Sequence, residues 1–413
     1  MLKKTIHKSG LIILSYYNPQ LPSFAMSYTL KNGSRSETNS NCGIFHFIEH
    51  MLFKGSKDYN LRQIAELSDR LGGSLNAYTS KETTQFYIRA IDEKFNETFA
   101  LLSDMVFKSK FPKDEFIKEK NVILQEIKES VDSPDSHSFE LFYENLFKNN
   151  PLGFPIGGTE SSVNKLNRNM VYNYYRDMYK PQNIILSVSG NIKHDTILQL
   201  VDEQFEDYPY TKPMDMKFIQ TDIHFDSIIH KRELKQLYTI IAFQGLPSNS
   251  SHRYSYMIAN DILGSGMSSR LFQRIREEKG LAYTISSYPD SFIDNGIFMI
   301  YSIIEPNNLN NYLKAVNEEL QSLKRYGVTQ EELERSKDHI KSSVILGLES
   351  NTTRMQFLVN QEIYNRDSSE IKDIIKTIES LKKGDIDVIF NSILNFENKS
   401  TIYYGNMIEN LNK

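Results

Sequence analysis

One cysteine, Cys42, stands in 413 residues. No disulfide can form within such a chain, which excludes a small disulfide-stapled scaffold and favours a reducing compartment. Charge of one sign is also lacking: 48 Lys and Arg against 52 Asp and Glu leave a formal net charge of −4. That field is too weak to mark a nucleic-acid or anionic-membrane surface. Long apolar runs are missing too. Nothing approaches the roughly 18 uncharged residues of a membrane-spanning helix. The first apolar run, Leu11-Ile-Ile-Leu, breaks at Ser15-Tyr-Tyr-Asn, too soon for the core of a secretory signal. The expectation is a protein that engages neither nucleic acid nor membrane. Its Lys- and Asn-rich composition points to a bacterial cytoplasm, and a mature protein of an organellar matrix has the same look.

What is present is an alternation of strand and helix patterns. Residues 10–17 and 24–30 are β-branched and aromatic and read as strands, bounded by Asn18-Pro19 and Asn32-Gly33. Residues 43–54 and 60–71 are amphipathic at helical spacing, the second ending at Gly72-Gly73. A strand pair is expected over 74–90, helices over 93–109, 113–130 and 171–178, and a buried strand over 183–190. Near Tyr208-Pro-Tyr-Thr-Lys-Pro-Met the periodicity lapses, which places a linker and divides the chain into residues 1–212 and 213–413. The second part repeats the first: 238–243 is a strand like 24–30, 252–263 a helix like the one from 43, and Gln330-Glu-Glu-Leu-Glu-Arg-Ser-Lys echoes Lys113-Asp-Glu-Phe-Ile-Lys-Glu-Lys. The predicted fold is α+β, in two homologous halves, each a mainly antiparallel sheet with helices on one face.

Of nine histidines, one pair lies at a metal-ligand interval, in His46-Phe47-Ile48-Glu49-His50. On a helix, positions four apart share a face, so both imidazoles can reach one ion while Glu49 reaches the water beside it. This inverts the His-Glu-x-x-His order and keeps its division of labour, two ligands and a carboxylate base. Two histidines also fall at this interval by accident, so a third ligand is needed. The helix 113–130 offers Glu115, Glu119, Glu126 and Glu129, a run that by itself describes a solvated face. Glu126 stands out because it lies among apolar neighbours, Val122-Ile-Leu-Gln-Glu-Ile127, where a buried carboxylate needs a cation. Glu119, two turns earlier on the same face, suits a supporting role that orients a ligand.

The segment His46-Phe-Ile-Glu-His-Met-Leu-Phe-Lys-Gly-Ser56 resembles the signature of the pitrilysin and insulinase family of zinc peptidases. The resemblance is to its short branch, which includes the catalytic (beta) subunit of mitochondrial processing peptidase and bacterial homodimeric relatives. Further segments match it: Leu71-Gly-Gly-Ser-Leu-Asn-Ala-Tyr-Thr79, Leu152-Gly-Phe-Pro-Ile-Gly-Gly-Thr-Glu160, Tyr179-Lys-Pro-Gln-Asn183 and the stretch from Gly266 to Tyr283. The resemblance implies one Zn²⁺ per chain on His46, His50 and Glu126, with Glu49 as general base and Glu119 as the auxiliary acidic residue. Arg276 and Tyr283, seven apart, are implied to hold the substrate carbonyl or oxyanion. Asn76, Ala77 and Tyr78 form the edge along which an extended peptide pairs. It also implies a homodimer in which each zinc site is completed by Arg276 and Tyr283 of the other protomer, forming a chamber for unfolded peptides or precursor segments. The competing reading is a non-catalytic scaffold or one partner of a heterodimeric peptidase. Intact ligands and an intact Glu49 speak against it.

Overall fold

The computed structural model describes residues 2–406 apart from 207, 211, 213–217, 220, 365 and 367–369. Two compact units emerge. The first comprises residues 1–132, 149–220 and 347–366, the second 133–148, 221–346 and 367–413. The linker expected at residues 208–214 lies partly outside the described residues, and residue 213, where the second half was expected to begin, lies outside them too.

The first unit is built on a six-stranded sheet of β1 (Leu2–Ile6), β2 (Ile12–Tyr17), β3 (Ser23–Leu30), β4 (Asn76–Thr79), β5 (Thr84–Ile91) and β6 (Ile184–Gly190), in the order β1-β2-β6-β3-β5-β4. All neighbours are antiparallel except β2 and β6. Period-two alternation sorts the side chains: Ile184, Leu186 and Val188 of β6 join the large core, while Ile185 joins Leu14 in a small cluster with Leu358 and Val359. Helices were expected on one face only. The helix Asn351–Ile363 instead packs on β2, β3 and β6, which is why β6 is buried at all seven positions and reads as a continuous apolar run.

The first four α-helices of this unit are α1 (Ile44–Leu52), α2 (Leu61–Arg70), α3 (Phe95–Phe107) and α4 (Lys113–Asp132), and the site is carried by α1 and α4. Asn60 caps α2 in a reciprocal capping box with Gln63. Six of the nine residues of α1 are buried. In α4 only Phe116, Glu119 and Ile123 are buried, a narrow stripe at helical spacing that lies against α1. Phe47 of α1 stacks on Phe116 of α4 with ring centroids 4.5 Å apart, fixing the register in which the two helices face each other.

The second unit repeats the pattern with β7 (Ser227–Lys231), β8 (Leu237–Gln244), β9 (Ala282–Ser291), β10 (Gly296–Ile304) and β11 (Lys399–Gly405), ordered β7-β11-β8-β10-β9. Again one pair, β7 with β11, is parallel and the rest antiparallel. This correspondence, strand for strand with β2-β6-β3-β5-β4, gives the two homologous α+β halves. The helix α5 (Pro134–Leu146) belongs to this unit although its sequence precedes β6. Tyr143 of α5 donates to Asp290 of β9, and Tyr301 of β10 donates to Asp135 of α5. No helix among the described residues is long and apolar enough to cross a membrane.

Candidate metal centre

The N-terminus of α1 is held from outside the helix. Gly43, at left-handed φ 89°, provides no capping side chain, and the carboxylate of Glu37 accepts hydrogen bonds from the backbone N–H groups of Gly43 at 2.8 Å and Phe45 at 3.0 Å. A carboxylate at this end also meets the positive pole of the helix. Glu37 is buried, and burial pushes its carboxyl up to about 8 against the pull of those N–H groups and of Lys81.

One turn later, α1 presents its polar stripe. Donor atoms of His46, His50 and Glu126 lie within 4.8 Å of one another. The Nε2 atoms of His46 and His50 are 3.9 and 3.4 Å from one carboxylate oxygen, Oε2 of Glu126. Two imidazole nitrogens and one carboxylate oxygen form a set that suits zinc, and three protein ligands leave a coordination position open, as catalytic sites do. Protonation states agree with that use. Burial, with His50 next to it, lowers His46 to about 4, so its ring is neutral with a lone pair to give. Glu119 Oε2 lies 3.0 Å from His50 Nδ1, which assigns the ring proton to Nδ1 and leaves Nε2 free toward Glu126.

Glu126 is not buried as its apolar neighbours suggested: 44% of its side chain is exposed. Its neighbours Val122 and Gln125 are exposed as well, so the stretch Val122-Ile-Leu-Gln-Glu-Ile127 is a helix with one buried position, Ile123, and the desolvation argument for Glu126 does not hold. Glu126 reaches the histidines because it continues the 116-119-123 stripe of α4. Glu119, 8% exposed, is the buried carboxylate, and Lys54 Nζ pairs with it at 2.8 Å.

Glu49 accepts a 2.5 Å hydrogen bond from Thr79 Oγ1. Burial raises its pKa, opposed by that bond and by His50, the direction that fits a proton acceptor working near neutrality. Thr79 ends β4, and Asn76, Ala77 and Tyr78 precede it on the same strand, the outermost of its sheet. Arg276 and Tyr283 lie in the second unit, where the guanidinium stands 5.8 Å from the Tyr283 ring centroid and 4.7 Å from that of Phe272. Tyr283 is 73% exposed. The helical turn bearing Arg276 is wound as a π-helix, Phe272–Glu278, an irregularity frequent at functional sites.

Sequence reasoning missed Glu37, Lys54 and Thr79. A signal existed for Lys54, which follows His46 and His50 at the same interval of four, and for Thr79, which ends the strand expected at the substrate edge. Glu37 had none, because its role depends on a loop folding back over the start of α1.

Known proteins resemble the chain over most of its length. The family description "Insulinase (Peptidase family M16)" matches residues 12–160, and "Peptidase M16 inactive domain" matches residues 165–340. The chain is 37% identical over 381 residues to the uncharacterized zinc protease YmxG of Bacillus subtilis, covering 92% of this chain and 93% of that one. It is 35% identical over 397 residues to an uncharacterized zinc protease of Rickettsia bellii, covering 96% and 95%. In fold it is similar to a protease from Helicobacter pylori, with TM-score 0.91 and 20% identity over 98% of this chain and 99% of that one. The same score and identity relate it to a peptidase M16 inactive domain from Pseudomonas fluorescens, over 99% and 98%. The chain therefore belongs to the insulinase family of peptidases, family M16.

Proposed function

We propose that the chain is a zinc-dependent endopeptidase that hydrolyses unfolded peptides or precursor segments. One observation carries the reading: His46, His50 and Glu126 converge within 4.8 Å, with Glu49 beside His50 on the same helix. His46 Nε2, His50 Nε2 and the Glu126 carboxylate would hold the ion. Bound there, Zn²⁺ supplies Lewis-acid activation of water and of the scissile carbonyl. Glu49 takes the proton from the attacking water and returns it to the leaving amine. Thr79 holds Glu49 Oε2 and thereby couples the base to β4. The free edge of that strand at Asn76, Ala77 and Tyr78 suits an extended peptide, because backbone pairing accepts varied sequences and requires an unfolded segment. Arg276 and Tyr283, exposed and adjacent in the second unit, are suited to hold a substrate carbonyl, and we assign them to the partner protomer of a homodimer.

Hydrolysis of a quenched fluorescent peptide library tests the reading. Activity should vanish with chelator, return with zinc and fall by about 10²–10⁴-fold in Glu49→Gln. Zinc-loaded protein that cleaves nothing would favour the scaffold or heterodimer alternative.

A further inference from the structure

Resting on the metal reading above, we propose that Lys54 is a positioning residue for the zinc site, acting through Glu119 on His50. Lys54 lies just beyond the end of α1, four residues after His50, where the chain turns with the Lys54 N–H bonded to the Met51 carbonyl. Its ammonium meets Glu119 Oε1 at 2.8 Å while Glu119 Oε2 meets His50 Nδ1 at 3.0 Å. The two oxygens of one carboxylate are thus divided between a cation and a ligand ring.

Three carboxylates, Glu49, Glu119 and Glu126, crowd this part of the unit. Among the described residues Lys54 is the only lysine or arginine paired with any of them. Glu119 is the most buried of the set by side chain against its partners, at 8% beside 17% for His50 and 22% for Lys54. A buried carboxylate without a cation is costly, and one held by a single partner is free to rotate about its terminal bond. Held at Oε1 by Lys54, Glu119 keeps Oε2 aimed at His50 Nδ1, which fixes both the tautomer and the ring orientation that point Nε2 at the metal position. Partners of ligand histidines commonly change metal affinity 10–100-fold when removed. Lys54 stands one step further out and acts through the same hydrogen bond.

The test compares wild type, Lys54→Met and Lys54→Arg as full-length, metal-free proteins. Zinc affinity is measured by competition with a chromophoric chelator, and the imidazole tautomers by ¹⁵N NMR. Expected are a roughly 10-fold or greater loss of zinc affinity in Lys54→Met, a His50 signal shifted from pure Nδ1–H to a mixture of tautomers, and recovery of most of both in Lys54→Arg. A merely structural role would lower the melting temperature and leave the tautomer of the folded fraction unchanged. The proposal is overturned if Lys54→Met binds zinc within about twofold of wild type, or keeps pure Nδ1–H tautomer. Should Lys54→Met not fold, Lys54→Gln takes its place under the same criteria. Wild-type protein that takes up no zinc at His46 and His50 would overturn the metal reading itself, an outcome distinct from a zinc-binding wild type with unaffected variants.

Discussion

Glu37→Gln should remove a specific pH dependence from the stability of the first unit. In the folded protein the Glu37 carboxyl is pushed up to about 8 from its ordinary value of 4.5, mainly by burial. Between those values the folded state holds a proton that the unfolded state has released, so stability falls as pH rises. The contribution is fully present below about 4.5, declines by about 1.4 kcal/mol per pH unit, and is gone above about 8. Over the whole window this comes to at most about 4–5 kcal/mol. Glutamine stays neutral throughout. Its amide oxygen can accept from one of the two N–H groups, Gly43 or Phe45, that Glu37 accepts from, and its NH₂ opposes the other, a pH-independent cost of about 1 kcal/mol. Urea denaturation of both proteins at pH 5, 6, 7 and 8 gives the difference directly. Wild type should lose ground to Glu37→Gln at each step upward, with Glu37→Gln the more stable protein at pH 8. A difference that stays flat from pH 5 to 8 would refute the account of Glu37 as a buried, protonatable anchor of α1.

Glu49→Gln should retain zinc and lose about 10²–10⁴-fold in turnover, since only the proton acceptor is removed; peptide hydrolysis and metal content measured on one preparation check this. Phe47→Ala deletes a fully buried ring stacked on Phe116 and should cost about 3–5 kcal/mol in denaturant unfolding. It should also weaken zinc binding, because that stack sets the register that brings Glu126 to His46. On the proposed homodimer, mixing Glu49→Gln protein with Arg276→Ala protein should regenerate activity that neither has alone, through mixed dimers that carry one intact site; no recovery after verified subunit exchange would place Arg276 in the same chain as the site it serves.

The first helix and its two histidines were legible because they are local: a four-residue interval on one helix is fixed by helical geometry alone. The strand order of both sheets was not legible, nor were the positions of two helices. α5 and the helix Asn351–Ile363 each interrupt one half in sequence and pack in the unit of the other, and no periodicity encodes where an amphipathic face finds its sheet. Glu126 shows a right residue reached by a wrong argument. Its apolar neighbours suggested burial, yet it is exposed, and what brings it to the histidines is the stripe shared with Phe116, Glu119 and Ile123. Glu119, for which spacing suggested a supporting role, is the carboxylate that is buried and bonded to a histidine. Thr79 meets Glu49 from a strand distant in sequence, and Glu37 acts through a loop that folds back over the start of α1, a conformation that no periodicity encodes.

The proposed function stands or falls with one zinc ion held by His46, His50 and Glu126. Crystals grown with zinc and measured on both sides of the zinc absorption edge test it most directly. One anomalous peak per chain is expected, about 2.0–2.2 Å from His46 Nε2, His50 Nε2 and a Glu126 oxygen. A peak elsewhere, or none at these residues in protein that hydrolyses peptides, would contradict it.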